Sequence, residues 1–408
     1  MILRDYQIEI ANRASITLKD KGIVALFMEC RTGKTATCLQ TIENCRFNNV
    51  LFLTKKKAIP SIESDYKSMG FGYNILVANY ESIHKVARRY DCVVCDESHV
   101  LGSYPKPSKK TLSVQSILSS GTALILLTAT PSPESYSQLF WQFRIHPRSP
   151  WQQKTFYKWA ADGYVIKKEL IINGFKVADY SNADKERIMS EIDGYVYTYT
   201  QEKAGFTAEV EEYVHTVSMR DFTRSVIKTI KRDKVYNGVL ADTPVKEMQK
   251  VHQLGSGTII FEDGTRKSFD PSKIDYIKRT FAGRKVAILY VFAEEGRFLM
   301  DKIKNHTTSP EEFNKSKDLV FIGQIRSTRE GVNLSTAEAL VMYNIEFSAL
   351  SYLQGKERMG SRDRTMPNVI HWLFSDCGIE DKIYASVKRK KSFTTSIYAR
   401  ITSTEQAY

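Results

Sequence analysis

Two short runs in this sequence carry residue types and spacings suited to one chemistry. The first is residues 26–35, L-F-M-E-C-R-T-G-K-T. An apolar run at 24–28 reads as a buried strand, the chain breaks at Arg31-Thr32-Gly33, and a helix can start at Lys34. Backbone N–H groups at a tight loop and helix N-terminus face an anion. The lysine reaches the β- and γ-phosphates of a triphosphate, and the threonine hydroxyl of Thr35 ligates Mg²⁺. Met28 stands where the first glycine of G-x-x-x-x-G-K-T would be, and Gly-Lys-Thr alone also fits an ordinary strand-to-helix turn.

The second run, residues 90–95 (Y-D-C-V-V-C), is closed by Asp96-Glu97-Ser98-His99. An aspartate ending a buried strand beside a phosphate loop can hold Mg²⁺, and the next glutamate can take a proton from an attacking water. A charged loop opening is the plainer reading, and the phosphate loop upstream weighs against it. Ser98 and His99 are placed to connect such a site to whatever binds outside it. Thr128-Ala129-Thr130-Pro131 ends a further apolar strand, and its hydroxyls can bridge to the acidic pair. Leu3-Arg4-Asp5-Tyr6-Gln7 opens an amphipathic helix running through Lys19. Its tyrosine can stack on a base and its glutamine amide can donate to and accept from adenine, while a simple helix start with Asp5 as N-cap is the plainer role.

These residues need elements to hold them. Apolar strands at 24–28, 50–54, 73–79, 90–95 and 122–127 alternate with helical stretches, which predicts an α/β fold with a parallel sheet covered by helices. A second ordered region begins at Val214, with helices at 222–234 and 245–254 and buried strands at 285–292, 319–325, 339–344 and 368–374. Gly378-Ile379-Glu380 opens a last helix. Between 141 and 213 the pattern loosens, and aromatic residues mix with basic ones. Core packing of a small helical element accounts for that mixture better than nucleic-acid contact does. The expected division is a first domain at 1–148, a connector with an insertion at 149–213, and a second domain at 214–408.

The 59 basic against 46 acidic side chains leave a net charge of +13. That excess favours a polyanionic partner, nucleic acid first, although a solvated basic surface has the same count. Lys55-Lys56-Lys57 at a strand end suits a phosphate backbone, or simply a solvated cluster. Six cysteines make no disulfide framework. Cys92 and Cys95 on one strand point to opposite faces, so reduced, buried thiols are expected rather than a metal pair. The chain opens with charged residues instead of a signal-peptide core, and its longest apolar runs are too short to span a bilayer. A soluble, cytoplasmic protein is expected.

Taken in order, these motifs resemble a superfamily 2 helicase of the DEAD/DEAH type, here with D-E-S-H. Tyr343-Asn344 followed by Ser351-Tyr352-Leu353-Gln354, then Pro367 and Gly378-Ile379-Glu380-Asp381-Lys382-Ile383, are similar to the Swi/Snf branch, in particular its compact phage-encoded members. The resemblance implies two RecA-like domains with ATP between them. Tyr6 and Gln7 would lie near adenine, and Arg31, Thr32, Gly33, Lys34, Thr35, Gly331 and Arg358 around the nucleotide. Thr35 and Asp96 would hold Mg²⁺, Glu97 would activate water, and Arg358 with Arg362 would serve as arginine fingers. Lys55, Lys56, Asn79, Ser327 and Thr328 would hold the DNA backbone, and His99, Thr128, Thr130 and Gln354 would couple the two activities. Two positions depart from the family: Arg31 replaces a loop glycine, and Ser361 falls on the second finger, so Arg362 or Arg364 must stand in. The implied activity is an ATP-dependent helicase or translocase on duplex, forked or branched DNA. A nucleic-acid clamp with a weak or dead ATPase, or an RNA helicase, are the alternatives.

Overall fold

The computed structural model describes residues 2–86, 89–172, 175–205, 210–328, 334–348, 352 and 368–389. It forms two compact units, Met1–Gly205 and Phe206–Tyr408.

In the first unit, helix α1 (Asp5–Lys21) precedes β1 (Ile23–Met28), and α2 (Lys34–Cys45) follows it. Then come β2 (Asn49–Thr54), α3 (Ile59–Met69), β3 (Asn74–Asn79), β4 (Cys92–Asp96), α4 (Lys109–Gln115), β5 (Ala123–Leu127) and α5 (Leu139–Arg144). Asp5 lies inside the first turn of α1 and the N-cap is Arg4; the helix stops at Gly22, which takes a left-handed φ of 75°. Burial at Gln7, Ile10, Ala11, Ala14 and Leu18 gives α1 one inward stripe. With β8 (Val196–Tyr199), the strands form a six-stranded, all-parallel sheet in the order β3-β2-β4-β5-β1-β8. Both faces are covered. Val24, Leu26 and Met28 enter one core with α1 and α2, and Ile23, Ala25 and Phe27 enter the other with Phe140 and Phe143. Cys92 and Cys95 fall into these opposite cores as free, buried thiols, as the strand geometry requires.

The loosely patterned stretch after α5 is well packed. Trp141, Phe143, Trp151, Phe156 and Trp159 are buried around Phe140, and Tyr157 is half-exposed. An antiparallel hairpin, β6 (Lys168–Ile172) and β7 (Phe175–Asp179), then a helix α6 (Lys185–Ile192), lead into β8 (Val196–Tyr199). β8 pairs in parallel with β1, Met28 opposite Tyr199. It has no counterpart among the strands expected from the sequence.

The second unit repeats the plan. β9 (Val210–Val217) is followed by α7 (Asp221–Asp233), the small hairpin β10 (Val235–Tyr236) and β11 (Val239–Leu240), α8 (Pro244–Gly255), the hairpin β12 (Thr258–Ile260) and β13 (Arg266–Ser268), and α9 (Ser272–Thr280). β14 (Val286–Tyr290), α10 (Ala293–Lys302), β15 (His306–Thr307), α11 (Pro310–Lys315), β16 (Val320–Gln324), α12 (Ile325–Thr328), β17 (Ala339–Met342), β18 (Asn368–Ser375) and α13 (Glu380–Lys388) complete it. Its sheet is also six-stranded and parallel, ordered β15-β16-β14-β17-β18-β9. Among the described residues no helix is long and apolar enough to cross a membrane.

An ion pair lies inside this second core. Lys273 Nζ on α9 sits 2.8 Å from Glu380 Oε1, both side chains fully buried. Lys273 also donates to Tyr343 O at 3.2 Å, and Ser375 Oγ donates to Glu380. Burial, the largest influence, would raise the Glu380 carboxyl; the charge and hydrogen bond of Lys273, with His252 and a backbone N–H, together outweigh it and hold the group below the usual glutamate range. Such a pair is stabilising only while every lone pair and proton is met. Lys273→Ala is therefore expected to cost the second unit about 3–5 kcal/mol, by leaving a buried charge unpaired, and K273M/E380L to recover most of it. Urea unfolding checks both. A carboxyl lowered in the fold contributes stability above the ordinary glutamate range and loses it as the pH falls through the folded value. The gap between wild type and K273M/E380L should shift in that acidic window.

Candidate functional site

The site of the first unit hangs from the carboxyl ends of its parallel strands. At the end of β1 the chain must turn sharply into α2, and it does so with two left-handed residues, Arg31 (φ 64°) and Gly33 (φ 82°). Arg31 thus occupies the backbone region that a glycine enters without strain. Gly33 caps α2, and a Cβ there would overlap Gln7 Nε2. The loop is gathered on two carbonyls. Glu29 O accepts from Thr32 Oγ1 (2.7 Å) and from Lys34 Nζ (3.1 Å). Thr32 O accepts from Tyr6 Oη (2.8 Å) and Gln7 Nε2 (3.0 Å).

Tyr6 and Gln7 therefore meet the loop itself. Gln7 Oε1 also accepts from Arg4 N at 2.9 Å, so its buried amide braces backbone on both ends. The Tyr6 ring stacks on Tyr199 of β8, centroids 4.0 Å apart and planes 7° from parallel. Thr32 is fully buried, whereas Lys34 and Thr35 remain partly exposed at the helix start.

The acidic pair is brought to the same edge. Asp96 ends β4; its Oδ2 accepts from Thr54 Oγ1 at the end of β2 (2.7 Å) and its backbone O from Tyr80 Oη (2.7 Å). Glu97 turns left-handed (φ 51°), a rare backbone state for a non-glycine residue and one that collects at functional sites. Burial, then the Glu97 charge, pushes the Asp96 carboxyl up. For Glu97 burial acts upward too, but the nearby His99 and the charges of Lys55 and Lys34 outweigh it and hold the group ionised. Lys34 acts on both carboxylates, so the phosphate-type loop and the acidic pair share one electrostatic field.

Beyond Glu97, His99 Nδ1 lies 3.2 Å from Glu97 Oε2 and 3.2 Å from Thr128 Oγ1 at the end of β5. Thr130 N donates to that same Thr128 hydroxyl at 3.1 Å. Ser98 Oγ donates to Gln142 Oε1 on α5 (2.9 Å). Glu97, His99 and Thr128 thus follow one another at 3.2 Å separations, and Glu97 Oε2, like Thr130 Oγ1, is buried with no hydrogen-bond partner.

The donor set fits a magnesium nucleotide. An ammonium, a threonine hydroxyl and two carboxylates are hard groups of the kind Mg²⁺ and phosphates use. Among the described residues no cluster of three or more His, Cys, Asp or Glu could hold a metal on its own. A Mg²⁺ at Thr35 and Asp96 would depend on phosphate oxygens for its remaining ligands.

Lys55, Lys56 and Asn79 also sit at this carboxyl edge: the lysines follow β2 directly, and Thr54 pairs with Asn79. Lys56 is exposed, and Asn79 Oδ1 is buried without a hydrogen-bond partner. In the second unit Ser327 and Thr328 lie on α12 after β16. Ser327 is exposed, while Thr328 is buried and its hydroxyl donates back to Gln324 O at 2.9 Å. Arg326 Nε pairs with Glu346 Oε1 at 2.7 Å. Gly331, Gln354, Arg358 and Arg362 lie outside the described residues, as do Ser361 and Arg364.

Sequence reasoning missed Glu29, Thr54, Tyr80, Tyr199 and Gln201. The alternation Tyr195-Val196-Tyr197-Thr198-Tyr199 is a period-2 strand signal that points to Tyr199; no local pattern marks the others. No protein-family model matches the chain, and no curated protein matches it.

The Gly33 geometry makes a direct prediction. Gly33→Ala should destabilise the first unit by about 1–3 kcal/mol from backbone strain alone, plus the displacement of Gln7. Gly70→Ala is the control, since Gly70 has a similar φ of +70° and open space around it. Equal losses in urea unfolding would mean that Gln7 gives way without cost.

Proposed function

We propose that the chain is a nucleic-acid-stimulated ATPase of the superfamily 2 helicase type, similar in its motifs to the Swi/Snf branch, with RecA-like folds in both units. The observation that carries this reading is the convergence at one carboxyl sheet edge of Gly33-Lys34-Thr35, which follow β1, with Asp96-Glu97 at the end of β4. ATP and Mg²⁺ are the implied cofactor and metal. In this reading Lys34 binds the β- and γ-phosphates, and Thr35 with Asp96 holds the ion, whose charge offsets that building on the phosphates. Glu97, kept ionised, orients the attacking water and takes its proton. His99 stands between that base and Thr128 at the end of β5.

DNA, whether duplex, forked or branched, is the proposed track, and the host or cell cytoplasm the proposed compartment. The net charge of +13 and the placement of Lys55, Lys56 and Asn79 beside the acidic pair support a polyanionic partner. The proposed output is movement along the track driven by hydrolysis of ATP to ADP and phosphate.

Steady-state phosphate release, measured at fixed salt without nucleic acid and then with single-stranded DNA, duplex, fork and RNA, tests the reading and names the track. ATP binding with no stimulation by any of them would favour a clamp. Glu97→Gln should bind ATP and DNA like wild type while turnover falls by roughly 10²–10⁴-fold. Retained turnover would sink the assignment of Glu97.

A further inference from the structure

Glu29 opens the loop, directly after β1, and belongs to none of the roles above, yet its N–H, carbonyl and carboxylate are all engaged. Its carbonyl holds Thr32 Oγ1 and Lys34 Nζ. Its N–H donates to Tyr199 O at 3.0 Å, extending the β1–β8 ladder by one step beyond Met28 and Tyr199. Its carboxylate Oε2 accepts from Gln201 N at 2.6 Å. Gln201 then returns a second bond, Nε2 to Cys30 O, at 2.9 Å. At the far side of the loop, Tyr6 joins Thr32 O to the ring of Tyr199. The two ends of the loop are therefore tied to the same short stretch, through Tyr199 and Gln201, just ahead of Gly205 where the first unit ends.

We propose that Glu29 is a positioning residue that reports the occupancy of the phosphate loop to residues 199–201. The inference rests on the nucleotide-binding reading. The physical argument is competition for one ammonium. Lys34 Nζ donates to Glu29 O, and phosphate oxygens are stronger, charged acceptors for the same group. When Lys34 turns to phosphate, the Glu29 carbonyl loses a charged donor while the N–H and carboxylate of the same residue still grip Tyr199 and Gln201. A carboxylate in an anion site is also a like charge to the ligand. The short bond from Gln201 N engages that charge, so the tie to 199–201 and the ligand act on each other. Coupling of this kind is reciprocal.

The test is amide hydrogen exchange on the full chain, with and without Mg²⁺ and a non-hydrolysable ATP analogue, alongside a titration with a fluorescent nucleotide. In wild type, nucleotide should change exchange in the peptide covering 196–205 by about 5–150-fold, the usual range for coupled sites. The hairpin β6–β7 should not respond. Glu29→Ala should abolish the nucleotide-dependent difference in exchange at that peptide while the variant still binds the fluorescent nucleotide. Glu29→Gln, which keeps an oxygen acceptor but removes the charge, should retain a reduced response. A merely structural role for Glu29 would alter exchange equally with and without nucleotide and would overturn the proposal. So would wild-type chain that binds the fluorescent nucleotide with no change at 196–205, the nucleotide reading then standing. Absence of any binding in the titration would instead remove the nucleotide reading and this proposal together.

Discussion

Parallel register is the constraint on which the site depends. β2 and β4 pair Leu53 with Cys95, β4 and β5 pair Asp96 with Leu127, and β1 and β5 pair Leu26 with Leu127. Those pairings put Thr54 level with Asp96 and Thr128 one residue beyond them, all at the carboxyl ends of neighbouring strands. The Thr54–Asp96 bond is then a neighbour contact, and the reach from His99 to Thr128 spans adjacent strand ends. A one-residue slip would turn Asp96 to the opposite face and bury it in an apolar core. Doubly covered sheets resist such a slip because both faces are packed, so the residues at the carboxyl ends of the strands are held in fixed register.

Within that frame the two adjacent carboxylates have different environments. Asp96 is confined between β2, Tyr80 and its own neighbour, and its proton is held more tightly than in water. Glu97, lifted out of the strand line by its left-handed backbone, meets His99 and the field of two lysines and stays charged. Adjacent acids separated in this way can take separate duties, one as a ligand and one as a base.

The parts legible in the sequence were those governed by local rules. Strands covered on both faces, such as Leu51-Phe52-Leu53 and Val93-Val94, read as apolar runs, and all five strands expected in the first unit are present. The glycine of Gly33-Lys34-Thr35 marked the turn, although the left-handed state at Arg31 had no such marker. What escaped were contacts between residues far apart in the chain. Gln7 and Thr32 are 25 residues apart, and the glutamine donates to the loop backbone. Tyr80 and Asp96 meet through a side chain and a carbonyl that no periodicity encodes. β8 was obscured because its tyrosines are only partly buried and its sequence surroundings are polar, so its alternation was read as part of a loose connector.

The position of β8 in the chain has a consequence for how the molecule is made. Synthesis runs from the N-terminus, and domains fold as their last pairing partner becomes available. A nascent chain that has reached residue 150 already contains the loop at 29–33, the acidic pair and five of the six strands. It lacks the strand that pairs along the outer edge of β1 and the residues that hold Glu29 and Cys30. The loop near the start of the protein is thus completed by a residue 172 positions after Glu29. Until those residues leave the ribosome, the edge of β1 is an unpaired strand edge and the loop is built on one side only.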